Sequence, residues 1–135
     1  MIIGTGVDIV KIERFIDKEK QTRFMERVFS MREREYLAAK GVRGPQSMAG
    51  LFAAKEAVAK ALGTGFAGFF PCDIEILHTP QGKPYVELHG KAHEILKKAT
   101  PAASRRLKRR RCFAIHVSIS HSEADAIAFA VLEVF

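Results

Sequence analysis

The longest regular pattern of apolar and polar positions in this chain has a helical period. From Met48 to Gly65 (MAGLFAAKEAVAKALGTG), Leu51, Ala54, Val58, Ala61 and Leu62 fall on one stripe at 3.6-residue spacing. Glu56 and Lys60, four apart, stack on the other side, with Phe52 one turn before Glu56. Lys55 falls at the edge of the stripe, where its stem covers apolar surface and its ammonium stays in water. Gly63 and Gly65 end the helix. Taken alone, the window is a surface helix carrying one i,i+4 Glu–Lys pair.

The N-terminal stretch Ile2–Val10 has the other period. Ile3, Val7 and Ile9 alternate with Gly4, Gly6 and Asp8, the pattern of a strand. Asp8 then projects from a face whose two preceding positions are bare glycines. Glycine weakens a strand, so the gap is expected to leave room for a close approach by a ligand or another backbone. Two readings stand: a site carboxylate beside open space, or a capping aspartate on a short edge strand.

Between these segments, 11–26 is expected as a short helix, a break and a further turn. Ser30 and Glu33 make a capping box, opening a helix that stops near Gly41. Val42–Ser47, with Gly44-Pro45, is expected to be a loop. After the long helix, GTGFAGFFP is a loop whose phenylalanines either plug the core or wall a pocket or interface. Cys72–Leu77 and Pro84–Leu88 flank a TPQGK turn and predict a hairpin. Gly90–Ala99 is helical. Phe113–Ser120 alternates, and Ala126–Val134 is nearly continuously apolar, as a central strand is. The order β, helices, ββ, α, ββ predicts an α+β fold, an antiparallel sheet packed against a long central helix, over one domain spanning 1–135.

Composition narrows the partners. The 135 residues carry 22 Lys and Arg against 15 Asp and Glu, a formal charge of +7, which favours an anionic partner. From Lys91 to Arg111 the only acid is Glu94, and Arg105–Arg111 (RRLKRRR) is the extreme of a basic loop expected at about 99–112. This run has no interleaved aromatic residues for base stacking, and no helix-turn-helix or finger pattern supports it as a nucleic-acid site. Cys72 and Cys112 form neither a disulfide framework nor a zinc pattern. No apolar run is long enough to cross a membrane and no targeting signal is evident, so a cytoplasmic location without membrane attachment is expected.

Candidate chemistry gathers on Asp8, on Glu56 and Lys60, and on His121 at the head of the last hairpin. Two carboxylates from different elements repel unless something positive lies between them. Their oxygens suit a hard divalent cation such as Mg²⁺, which commonly pairs with substrate phosphates. A lysine one turn along would meet the same phosphate. That set fits phosphoryl chemistry better than redox or acyl chemistry.

Four blocks in this order, GVDIVKIERF, FAAKEAVAKALGTG, GKPYVEL and HVSISHS, closely resemble the holo-[acyl-carrier-protein] synthases of the 4'-phosphopantetheinyl transferase superfamily. The resemblance covers nearly the whole chain except 98–112, and GVDI with FAAKEA is its specific part. It implies transfer of the 4'-phosphopantetheine arm of coenzyme A to a serine of acyl carrier protein, in fatty acid biosynthesis, leaving adenosine 3',5'-bisphosphate. It also implies Asp8 and Glu56 as Mg²⁺ ligands, with Lys60 at the pyrophosphate. Gly65 falls in the nucleotide-binding loop, His121 beside the coenzyme A nucleotide, and Arg14 at the docking surface for the acidic carrier. The implied assembly is a homotrimer with active sites at subunit interfaces.

Two departures qualify this. Leu51 stands where the family commonly has arginine, which puts one contact to phosphate or carrier in doubt. RRLKRRR is longer and more basic than the usual connection, and is expected to supply charge for the coenzyme A 3'-phosphate or the carrier. The rival from another class is a basic nucleic-acid-binding or acidic-protein-binding module without catalysis, in which Asp8 and Glu56 are dispensable.

Overall fold

The computed structural model describes residues 1–99 and 112–135. The basic run at 105–111 therefore lies outside the described residues. The expected α+β architecture is present. Strands β1 (Ile2–Lys11), β4 (Phe113–His121) and β5 (Asp125–Val134) form an antiparallel sheet in the order β1-β5-β4. Strands β2 (Ile74–His78) and β3 (Pro84–Leu88) form a separate antiparallel hairpin. Helices α1 (Thr22–Val28), α2 (Met31–Ala38), α3 (Gly44–Ala61) and α4 (Gly90–Lys98) complete the order, with 3₁₀ turns at 12–15, 18–20, 41–43 and 71–73.

The capping box opens α2 as expected: the Ser30 hydroxyl accepts from the Glu33 amide, and Glu33 accepts from the Ser30 amide. The long helix begins earlier than its apolar stripe. Gly44–Ser47, expected as a loop, is the first turn of α3, because Pro45 sits where its missing N–H costs no hydrogen bond. Likewise β2 starts at Ile74, since Pro71–Asp73 forms a 3₁₀ turn. The phenylalanine loop divides: Phe69 is buried with its ring centroid 5.5 Å from that of Phe66, whereas Phe70 is exposed.

Helix α3 is not a surface helix. From Met48 to Ala61 every residue is buried except Phe52, Glu56 and Lys60. Those three are spaced by four and form one narrow open strip along an otherwise enclosed helix. The burial comes from short side chains. The inward row of β5 is Ala126, Ala128, Ala130 and Leu132, all buried. The inward row of β1 is Gly4, Gly6, Asp8 and Val10. A Cβ at Gly4 would lie 2.0 Å from the Ala61 carbonyl oxygen, and one at Gly6 would lie 1.9 Å from that of Ala57. The expected free space over the glycines is thus filled by the backbone of α3, which corrects the ligand half of that expectation and bears out the backbone half.

The outer face of the sheet is different. Val7, Ile9, Ile127 and Phe129 are 41–63 % exposed. The register sets Val7 opposite Phe129 and Ile9 opposite Ile127, so the four make one contiguous apolar patch.

Candidate active site

The same alternation that sends Gly4 and Gly6 against α3 sends Asp8 toward it, at the point where the glycines end. Lys60, on the open strip, donates to the Val7 carbonyl at 2.8 Å and to Asp8 Oδ1 at 3.1 Å. The lysine therefore bridges helix and strand rather than pairing with Glu56 along its own helix. Glu56, one turn before it, has no hydrogen-bond or ion-pair partner among the described residues. Its carboxyl is pushed above the ordinary glutamate value, first by burial and then by the nearby charge of Asp8, against the opposing pull of Lys60 and Arg14. Two carboxylates and two cations thus meet at one spot.

Arg14 closes the other side. Its guanidinium lies 5.7 Å from the ring centroid of Phe52 and 5.8 Å from that of Phe15. Lys18 stands 5.0 Å from the ring of Phe24. Next to Glu56, then, is an aromatic surface topped by positive charge.

After α3 the chain turns through Gly63 and Gly65, with φ of +83° and +57°. These left-handed values favour glycine. The Gly65 amide returns to the Ala59 carbonyl at 3.2 Å, which keeps the loop against the end of α3, one turn beyond Lys60.

His121 is not in this group. It ends β4, and the Gln46 side-chain amide lies 2.6 Å from its Nδ1 at the first turn of α3. Gln46 and Glu56 are ten residues apart on α3, roughly 15 Å along the axis. His121 lies in a cleft of about 420 Å³ with Tyr36, Lys40, Leu51, His78 and Thr79. Tyr36 and His78 stack there at 4.3 Å, and the Lys40 ammonium stands 4.5 Å from the Tyr36 ring. Leu51, 2 % exposed, lies on the wall of this cleft and offers it no charge.

Sequence patterning missed a second ionic network. Lys55, expected at the helix edge with a wet ammonium, is fully buried and pairs with Glu33 at 2.6 Å. Glu33 was legible as a capping residue, but nothing local shows that it also serves a lysine 22 residues later. Nearby, Glu75 accepts from Arg32 and Ser30 at 2.5 Å each, and its carboxylate lies 3.0 Å from His89 Nε2. Glu75, Glu87 and His89 are close enough together to hold a metal ion. The Arg32 guanidinium already answers both carboxylates, at 2.5 and 2.7 Å. Asp8 and Glu56 have no such arginine pair: Asp8 is answered by Lys60 at 3.1 Å, and Glu56 has no ion-pair partner among the described residues. A divalent cation fits their donor set better.

Asp8 on β1 thus faces Glu56 and Lys60 on the open strip of α3, a pair of carboxylates and a lysine of the kind that phosphoryl chemistry uses. The profile of the 4'-phosphopantetheinyl transferase superfamily matches residues 4–115, and the chain belongs to that superfamily. It is 47% identical over 135 residues to the holo-[acyl-carrier-protein] synthase of Clostridium kluyveri, covering 99% of this chain and 92% of that one. It is 46% identical over 134 residues to that of Clostridium beijerinckii, covering 98% of each. The Neisseria meningitidis holo-[acyl-carrier-protein] synthase superposes with a TM-score of 0.79 at 31% identity, covering 98% of this chain and 99% of that one. The Bacillus anthracis enzyme, in complex with CoA (3',5'-ADP), superposes with a TM-score of 0.73 at 34% identity, covering 98% and 97%.

Proposed function

We infer that this chain transfers the 4'-phosphopantetheine group of coenzyme A to a serine of apo acyl carrier protein, yielding holo-carrier and adenosine 3',5'-bisphosphate for fatty acid biosynthesis. The observation that carries this reading is the meeting of Asp8 of β1 with Glu56 and Lys60 on the open strip of α3, in a chain of this superfamily. The serine oxygen forms a bond to the β-phosphorus while the bond from that phosphorus to the bridging oxygen breaks, and the nucleotide leaves with its 5'-phosphate. Lys60, anchored to β1, is placed to meet the negative charge on the pyrophosphate. Asp8 and Glu56 would hold Mg²⁺, which when bound supplies further positive charge against the same phosphates. Glu56 would take up the serine proton through an intervening water rather than directly. The Gly63–Gly65 turn packs beside Lys60 and suits the role of nucleotide-binding loop. The aromatic surface under Arg14 and Lys18 suits an acidic carrier carrying some apolar side chains.

The active assembly is a homotrimer with the nucleotide half of each site on a neighbouring copy. Two features support this. The apolar patch on the outer sheet face is left uncovered in a single chain. His121 also sits roughly 15 Å along α3 from Glu56, too far for both to touch one phosphate. In the His121 cleft, Lys40 supplies the cation that Leu51 does not, and is the residue placed to meet the coenzyme A nucleotide.

Incubation with apo acyl carrier protein, coenzyme A and Mg²⁺, followed by mass measurement of the carrier, tests the reading. A phosphopantetheine adduct is expected, and its absence would end it.

A further inference from the structure

Lys55 immediately precedes Glu56, yet the transfer reading gives it no task. Its ammonium is fully buried. It donates to Glu33 Oε1 at 2.6 Å, to the Pro71 carbonyl at 3.1 Å and to the Ile74 carbonyl. It also stands 5.6 Å from the Phe29 ring centroid. Glu33 in turn accepts from the Ser30 amide at 2.9 Å and from the Ile76 amide at 3.0 Å. One lysine thus ties α3 to the start of α2, to the 71–73 turn and to β2.

Consider what otherwise sets the rotation of α3 about its axis. Gly4 and Gly6 fix how close the helix lies to β1, where the surfaces in contact are glycine, alanine and backbone, and only the half-exposed Lys60 adds hydrogen bonds to β1 at the rim. The β5 row facing α3 is also mostly alanine. Such a smooth interface has few knobs to resist a roll. A buried ion pair does resist one, because its hydrogen bonds are directional and breaking it would strand two buried charges. Successive helical residues differ by about 100° around the axis. With Lys55 held toward α2 and β2, Glu56 is carried round toward β1 and Asp8.

We propose that the buried Lys55–Glu33 pair is the rotational stop of α3, and that Lys55 is a positioning residue that holds Glu56 opposite Asp8 for metal binding and transfer. This role rests on the transfer reading above.

The test removes the pair without stranding a charge. In the double variant Glu33→Gln, Lys55→Met, side-chain volume is nearly kept and no ion is left buried alone. Circular dichroism and thermal unfolding establish that it is folded. Calorimetric titration with Mg²⁺ at saturating coenzyme A should show affinity about 10- to 100-fold weaker than in the unaltered protein, the range seen when residues that orient metal ligands are removed. The kcat/KM for carrier modification should fall, with much of the loss recovered at high Mg²⁺. A folded double variant with unaltered Mg²⁺ affinity and kinetics would overturn the proposal, leaving Lys55 a stabilising residue only. If the double variant does not fold, Glu33→Asp, which keeps both charges but shortens the carboxylate arm, should weaken Mg²⁺ binding several-fold; no change there would equally overturn it. Failure of the unaltered protein to bind Mg²⁺ at all would remove the metal site itself and this role with it, a distinct outcome.

Discussion

Gly6 of β1 and Ala57 of α3 pack backbone against backbone, so that a methyl group on Gly6 would come 1.9 Å from the Ala57 carbonyl oxygen. The next inward residue on β1 is Asp8, and the next turn of the helix presents Lys60 to it. The closeness of strand and helix is what brings the carboxylate and the ammonium within hydrogen-bonding distance.

Gly6→Ala must therefore push α3 away from β1. Neither contacting group is a flexible side chain, so the strain cannot be relieved by a change of rotamer. We expect a loss of about 3 kcal/mol in denaturant unfolding. The fraction that remains folded should have impaired transfer, because Lys60 no longer reaches Asp8.

Asp8→Ala and Glu56→Ala should each lower transfer to the carrier by about 10²-fold or more while leaving the circular dichroism spectrum unchanged. Lys40→Ala should behave differently. Its expected effect is a higher KM for coenzyme A with kcat nearly kept, since Lys40 faces the His121 cleft and not the Asp8 site. Steady-state kinetics with carrier mass as the readout separates the two patterns.

Phe129→Asp places a charge in the centre of the outer apolar patch, opposite Val7. The unaltered protein is expected to run near three times its 15.0 kDa chain mass in size-exclusion chromatography with light scattering. The variant should run as a single chain and lose activity, although Phe129 points away from Asp8 and Glu56 across the sheet.

Acid should unfold the protein partly through Glu75. Burial pushes its carboxyl up, but hydrogen bonds from Arg32, Ser30 and His89 outweigh this and hold it at about 2, below the ordinary 4.5. The depressed value means that its contribution is fully present above about pH 4.5 and is lost as pH falls toward 2. Glu75→Gln should cost roughly 2 kcal/mol at pH 7, and the gap to the unaltered protein should close across that window. Urea titrations at several pH values measure it.

What was written in local sequence came through well. The two-residue period of 2–10 and 113–120 produced strands because neighbouring side chains on a strand point to opposite faces. The Ser30–Glu33 box opened α2 because both of its hydrogen bonds lie within one turn. Asp8, Glu56 and Lys60 were legible as types and spacings, and the motif resemblance placed them at one site. Their meeting was not, since 48 residues separate Asp8 from Glu56 and no local pattern reports that contact.

Around Met48–Gly65, the sequence by itself determined a helix with Glu56 and Lys60 one turn apart, because helical spacing needs only the chain's own backbone. Tertiary structure decided the rest. It buried Lys55, whose charge is tolerable inside only with Glu33 and two carbonyls around it. It closed α3 on nearly every side, leaving Phe52, Glu56 and Lys60 open. It also turned Lys60 from a neighbour of Glu56 into a partner of Asp8, since two glycines let the helix lie against β1. Burial and charge pairing depend on what arrives from distant parts of the chain, and only the folded arrangement sets that.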